Sequence, residues 1–325
     1  MRRDFDFLLL PEFSFIGFAA LVEPLRIANR FKADAYRWRT GSADGAPVVA
    51  SNGIALKPQA SLSEPSQSGC IFAISSFNPL DHYTPEIGHH LRNCMQRGAT
   101  LGAIDTGCFV LAEARLIRGS PVTLHWEAIP AFRERYPLIH VQDDVRFTIA
   151  NGLMTSAGAM ASVDLMLEVI SRDHGSELAL LVSEQLVSGW VRERADHQRL
   201  QISARYRVHN AKVTQIIGFM EQHLETPLSS DALALRVGVT RRQLERLFQD
   251  HLHVSPVHFY LGLRLGRARH LLRQSSMDVL EIALACGFAS ASAFSRAYRR
   301  QFAVAPSQDR HETPSPGPMG SVPMS

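Results

Sequence analysis

The sequence predicts two folds in tandem: an α/β domain on a largely parallel sheet, then an all-α domain with two helix-turn-helix units. Three observations carry this. Over the first 175 residues short apolar runs alternate with helical patterns, as strand–helix–strand units require. From residue 213 onward no strand pattern appears. In that second part a helix, a glycine turn and a second helix recur about fifty residues apart. A chain of 325 residues also exceeds what one core usually holds.

The predicted strands are 5–10, 36–40, 70–75, 100–104, 122–126 and 146–149. Each is a short run rich in aliphatic, aromatic or β-branched residues. Helical stretches at 15–30, 85–97, 109–114 and 127–136 separate them, and a longer helix is expected over 160–174. "SNG" at 51–53 and "NG" at 151–152 supply hairpin turns. From 176 to about 210 the pattern turns helical and increasingly charged, with a change of character near residue 205. The expected organisation is a first domain at 1–190, a helical connector at 191–211, a second domain at 212–310 and a tail at 311–325. The tail, rich in Pro, Gly and Ser, is expected to be disordered.

The apolar fraction of 46% and charged fraction of 20% suit a globular protein in water. No apolar run approaches the roughly 18 residues that span a bilayer, so no membrane association is expected. The opening "MRRDFDFLLLPEFS" is interrupted by aspartates and reads as a first strand rather than a secretory signal. Cys70, Cys94, Cys108 and Cys286 form no CxxC pair, and the fourteen histidines form no HExxH. Neither a metal site nor a cofactor is expected, and reduced thiols point to the cytoplasm. The net charge of +3 hides an asymmetry: residues 211–310 hold 13 basic and 8 acidic side chains, the remainder 21 and 23. A basic C-terminal third suggests a polyanionic partner.

The repeated unit says which polyanion. In "LSSDALALRVGVTRRQLERLFQDHL" (228–252) a capped short helix breaks at Gly238, and Thr240 caps a second helix. There Leu244, Leu247, Phe248 and Leu252 make one buried stripe. Arg241, Arg242, Gln243, Arg246 and Gln249 lie on the other face. In "VLEIALACGFASASAFSRAYRRQF" (279–302) the break is Gly287 and the cap Ser290. Phe294, Ala297, Tyr298 and Phe302 are the buried stripe; Ser292, Ser295, Arg296, Arg299 and Arg300 face outward. Between the units, 255–272 reads as one long helix. Two basic reading helices on a rigid spacer suit successive major-groove segments, about 34 Å apart. An ordinary bundle with a solvated arginine face is the alternative for either unit alone, and the duplication disfavours it.

With "LERLF", Ser255-Pro256, "LRLGRARHLL", "IALACGFASASAFSRAYRRQF", Pro306 and Arg310, residues 212–310 resemble an AraC/XylS-type DNA-binding domain. The resemblance implies base contacts from Arg241, Arg242 and Arg246 in the first unit. In the second it implies Ser292, Ser295, Arg296 and Arg299, with Arg300, at the far end of its helix, the better candidate for phosphate. Asp309 stands where the family usually has an aromatic residue, and Ala303 at a common Gly. Both departures concern packing at the end of the domain.

In the first domain "LGAIDTGCFVLAEA" (101–114) has the strand–turn–helix shape of a nucleophile elbow. With "FDFLLLPEFS", "EPLRIANR", "SNG", "TLHWE" and "SAGAMASVDLMLEVI", it resembles the DJ-1/PfpI branch of the class I glutamine amidotransferase-like superfamily, a flavodoxin-like α/β fold. The closest resemblance is to the GlxA-type group, where that domain is fused to an AraC-type one. In catalytic relatives the elbow reads Cys-x-Gly, with a His about twenty residues on. Here Asp105 occupies the cysteine position and His125 matches the His. The helix position of the supporting carboxylate falls near Gly17. A carboxylate at the apex is no useful amide nucleophile. Held by a helix N-terminus, it would be an anionic anchor at a pocket floor.

The expected ligand-binding residues are Asp105, Thr106, Gly107, His125, Trp126 and Phe13, with Phe15, Glu12 and Glu23 as further candidates. A carboxylate with aromatic faces suits an amine or a quaternary ammonium compound such as glycine betaine, carnitine or arginine. The resemblance implies that relatives of this "DTG" type control catabolism of such compounds. The function expected is therefore a non-enzymatic, effector-responsive transcription regulator, by family analogy an activator. Its expected partners are double-stranded promoter DNA, RNA polymerase, a small-molecule effector and a second copy in a homodimer. Two alternatives stay open: a cysteine-dependent amidase, hydrolase or glyoxalase-like enzyme using Cys108, and an architectural DNA-binding protein with a vestigial first domain.

Overall fold

The computed structural model describes residues 2–64, 66, 68–187, 202–275 and 277–310. The chain divides into two units, Met1–Gln198 and Arg199–Ser325. The expected disordered tail and most of the 191–211 connector lie outside the described residues.

In the first unit the elements run β1 (Arg3–Leu9), α1 (Phe15–Phe31), β2 (Tyr36–Ser42), β3 (Val48–Val49), β4 (Ala55–Leu56), β5 (Ala60–Ser61) and β6 (Cys70–Ser75). Then follow α2 (Pro85–Gln96), β7 (Thr100–Asp105), α3 (Gly107–Glu113), α4 (Ile129–Arg135), β8 (Phe147–Ala150), β9 (Leu153–Ser156), α5 (Met160–His174) and α6 (Ser176–Gln185). The main sheet has the order β5-β2-β1-β6-β7-β9-β8, parallel except for β8. β6, "CIFAIS", is buried along its whole length, as expected of an apolar strand covered on both faces. Phe5, Phe7, Phe72 and Ile104 of the sheet pack with Leu21, Leu25 and Ala28 of α1 and Leu165 and Val169 of α5. From β1 the chain moves outward to β2 and later returns on the other side as β6. The C-terminal ends of β1 and β6 therefore flank a topological switch point, where open α/β sheets bind ligands.

Both hairpin signals are realised: "SNG" lies in the β3–β4 turn and Asn151-Gly152 joins β8 to β9. The strand expected at 122–126 does not form. Val122 makes one bridge to Val141, and the following residues run as loop and turn. The reason is tertiary: the Thr123 N–H is taken by the side chain of Thr155, 32 residues away, at 2.8 Å, not by the backbone of a neighbouring strand. β9, which is not among the strands expected from the sequence, pairs with β7 in the sheet.

The second unit is helical among its described residues: α7 (Ile202–Arg205), α8 (Ala211–Gln222), α9 (Ser230–Arg236), α10 (Arg241–Leu252), α11 (Pro256–Gln274), α12 (Val279–Ala285), α13 (Ala291–Phe302) and α14 (Pro306–Asp309). α7 belongs with this unit, where Arg205 pairs with Glu221 of α8 at 2.7 Å. Val213, Ile216, Ile217 and Met220 of α8 close over Leu233, Leu244 and Phe248. The 19-residue α11 is the expected spacer, one uninterrupted helix.

The two helix-turn-helix units repeat at an offset of fifty residues. Thr240 and Ser290 cap α10 and α13. Leu244 and Phe294, then Phe248 and Tyr298, are the buried pairs. His253 and Ala303 both end their helices in the left-handed conformation, at φ 55° and 60°. Ala303, the departure from the family glycine, thus keeps the backbone that a glycine would serve. Asp309 is fully buried, and Arg269 at 2.8 Å, Arg273 at 2.5 Å and the Tyr298 hydroxyl all donate to its carboxylate. The second departure is a partnered ionic cluster tying α11 and α13 to α14.

Candidate functional site

β7 ends on Asp105, whose φ of +57° turns the chain sharply into α3. The elbow is packed through glycines on both sides. A Cβ on Gly107 would lie 2.3 Å from the carbonyl oxygen of Ala73 in β6. A Cβ on Gly158, itself at φ +86°, would lie 2.9 Å from the Asp105 Cβ. The Thr106 hydroxyl donates to the Ser76 carbonyl at 2.7 Å, binding the elbow to the loop after β6. The His125 N–H donates to the Asp105 carbonyl at 3.2 Å, and the Trp126 ring lies tilted against the imidazole with centroids 5.5 Å apart. Asp105, Thr106, Gly107, His125 and Trp126 are thus brought to one place.

Burial decides the charge state. It pushes the Asp105 carboxyl up to about 7, a hydrogen bond from Ser76 opposing and the charge of Glu127 adding to the rise. The expected anionic anchor is therefore a carboxyl that desolvation raises toward neutrality. Burial also holds His125 down to about 4, so it is neutral. Cys108 is fully buried, its Sγ 3.5 Å from the Thr123 carbonyl, and burial followed by the Asp105 charge pushes its thiol far up. An inaccessible protonated thiol is no nucleophile, which removes the cysteine-enzyme alternative. Gly17 supplies no carboxylate, and the Ile104 Cδ1 lies 2.9 Å from where its Cβ would be.

Of the other candidates read from the sequence, Phe13, Phe15 and Glu23 lie away from the elbow. Phe13 is 0% exposed and packs against Phe15 and Phe18 in the core under α1. An aromatic in the β1–α1 loop is drawn into that core rather than presented to a ligand, and the same cluster takes Phe15. Glu23 pairs with Arg26 on the outer face of α1. Glu12 stands at the switch point, where Asn78 donates to its carboxylate at 3.0 Å and His82 approaches to 3.4 Å. Asn78 and His82 were not legible: a positive φ at Asn78 (46°) and a contact across 66 residues leave no local pattern. A hollow bounded by Ser66, His90, Asn93, Cys94 and Arg97 lies against α2 and shares no residue with the elbow.

In the second unit Arg241, Arg242, Gln243 and Arg246 on α10 and Ser292, Arg296, Arg299 and Arg300 on α13 are exposed, with Ser295 half-buried. The Gln243 side chain accepts from the Thr240 N–H at 2.8 Å, closing a capping box. Its carbonyl end holds the helix start and only its amide is left for a base. Arg241 is 3.7 Å from Asp231, in the open. The α10 face also carries Glu245 and Asp250, whereas α13 carries no acid. The positive charge is therefore concentrated on α13.

Among the described residues no cluster of three or more His, Cys, Asp or Glu could hold a metal ion, and no helix is long and apolar enough to cross a membrane.

Comparison with known proteins matches residues 15–172 to the DJ-1/PfpI family and residues 233–312 to a helix-turn-helix domain family. The HTH-type transcriptional regulator CdhR of Pseudomonas aeruginosa is 53% identical over 99% of this chain and 96% of its own. The HTH-type transcriptional regulator GlxA of Rhizobium meliloti is 32% identical over 95% of this chain and 96% of its own. Among solved structures, an AraC family transcriptional regulator from Pseudomonas putida aligns with a TM-score of 0.53 at 26% identity, over 57% of this chain and 99% of that one.

Proposed function

Because the chain belongs to the HTH-type transcriptional regulators in which a DJ-1/PfpI domain precedes an AraC-type DNA-binding domain, we propose that its elbow is the effector site of a regulator and holds a small amine or quaternary ammonium compound. The chain is a DNA-binding transcription regulator, not an enzyme. The effector class is our reading. The observation that carries it is Asp105 at the elbow apex, where an enzyme would need its nucleophile, with Cys108 sealed behind it. A cation beside Asp105 draws its carboxyl into the ionised form, and a neutral His125 adds no repulsion. Trp126 supplies the aromatic face. Phe13 drops out of the set.

The same reading makes the protein a cytoplasmic homodimer that binds promoter DNA through α10 and α13 and activates by meeting RNA polymerase. Glycine betaine, carnitine and arginine, tested against sugars and dicarboxylates by calorimetry on the full chain, probe the effector class. Binding by one or more of the cations supports it. Binding by sugars or anions alone overturns it, and promoter output indifferent to every compound favours an architectural role. Mapping genomic binding sites then tests activation through the genes beside them.

A further inference from the structure

Tyr260 and Arg264 stand one turn apart on the same face of α11. The Tyr260 hydroxyl donates to the His223 carbonyl at 2.6 Å and accepts from the Leu228 N–H at 3.3 Å. Those two groups bracket the segment that enters α9, the start of the first helix-turn-helix unit. Arg264 donates from Nε to the Cys286 carbonyl and from Nη2 to the Gly287 carbonyl, each at 2.7 Å. Its guanidinium also lies 4.2 Å from the centroid of the Phe288 ring. Those carbonyls are the turn of the second unit. The two gripped segments touch each other: a Cβ on Gly287 would lie 2.6 Å from Pro227 Cδ and 2.8 Å from the Glu225 carbonyl oxygen.

We propose that Tyr260 and Arg264 are positioning residues that lock the two reading helices in one relative register and thereby set the spacing of DNA half-sites the protein accepts. The inference depends on α10 and α13 being the DNA-reading helices. One turn of one helix holds the entrance of the first unit and the turn of the second, so neither unit rocks independently of the other. Charge-assisted bonds to two carbonyls, with the guanidinium lying over a ring, fix orientation as well as distance. A lysine keeps the charge but is a point donor without the fork. Inserting one base pair rotates the second half-site by about 35° and moves it by about 3.4 Å. A locked reader then loses the contacts of one unit, and a loosened one recovers them by tilting.

The probe is a duplex selected by full-length protein from random-sequence DNA, with derivatives carrying one base pair more or less between the half-sites. The native protein is expected to lose about tenfold or more in affinity for either derivative, the cost of one or more base contacts. Tyr260→Phe and Arg264→Lys are expected to narrow that ratio to about threefold or less while keeping helical content. In parallel, spin labels on Asp250→Cys and Arg300→Cys, equivalent exposed positions in a chain whose native thiols are buried, report the distance between the helices. A narrow distribution that broadens with Arg264→Lys is expected. Variants that keep the native spacing ratio and the narrow distribution overturn the proposal, and so does loss of the fold in both, which makes the contacts structural only. Failure to select any sequence instead overturns the DNA reading itself.

Discussion

The backbone N–H of His125 donates to the carbonyl oxygen of Asp105 at 3.2 Å. A loop residue twenty positions downstream thus fixes the apex of the elbow, although the two side chains sit in opposite regimes. Burial raises Asp105 to about 7 and depresses His125 to about 4.

Effector binding is expected to depend on pH through Asp105. The folded carboxyl titrates near 7, and a cation prefers its ionised form. Affinity therefore weakens as pH falls below 7, by up to about tenfold per unit, and levels off above. Binding at pH 6 releases a proton, measurable by calorimetry in buffers of different ionisation enthalpy. Asp105→Asn is expected to abolish both effects. A pH-independent affinity in the native protein sinks the assignment.

Asp105 also has a consequence for stability. A carboxyl raised in the folded state binds more protons there than unfolded, so its contribution is present below about pH 4 and is lost as pH rises through 7. Asp105→Asn is expected to raise the denaturation midpoint more at pH 8 than at pH 5. Urea titrations at the two values check the sign.

Cys108 is expected to resist thiol reagents in the native state, with Cys70, Cys94 and Cys286, all four being buried. Labelling with a chromogenic disulfide should await unfolding. Cys108→Ser is expected to leave ligand-dependent promoter output intact. Fast labelling of Cys108 with loss of output reopens a chemical role.

The elbow glycines should not tolerate alanine. Gly158→Ala places a Cβ against Asp105 and adds a left-handed penalty of about 1–2 kcal/mol. It is expected to lower the melting temperature and abolish effector binding while the isolated DNA affinity stays. An unchanged effector affinity would mean that Asp105 does not face the ligand.

α10 and α13 should answer salt differently. Arg300→Ala on the acid-free face of α13 is expected to reduce the slope of log affinity against log salt by about 1, uniformly across sequences. Arg246→Ala and Arg296→Ala, at equivalent positions of the repeat, are expected to relax preference for one base pair each, by about 1–3 kcal/mol. Binding to selected and scrambled duplexes over a salt series separates the two behaviours. At the end of the domain, Ala303→Gly is expected to stabilise by about 1 kcal/mol, since φ is +60° there. Asp309→Ala should destabilise by about 3 kcal/mol or more, leaving Arg269 and Arg273 unpaired.

Periodicity and composition alone announced the alternating first unit, the paired helix-turn-helix units and the spacer α11. Each follows from local rules: apolar spacing sets which face is buried, and Ser or Thr caps and turn glycines set where helices start and stop. The Asp-Thr-Gly elbow was legible for the same reason, since its shape is encoded in consecutive residues.

What only the tertiary structure decided are quantities that depend on distant neighbours. The loss of a strand at 122–126 came from Thr155, and the burial of Phe13 from α1. The protonation of Asp105 near neutrality came from the desolvation that packing imposes on it. The tie from α11 to both reading units, through Tyr260 and Arg264, joins residues 22 to 37 positions apart. A sequence pattern carries the period of an element, but dielectric and hydrogen-bond partners are properties of what lies across the core, so they exist only once the chain has folded.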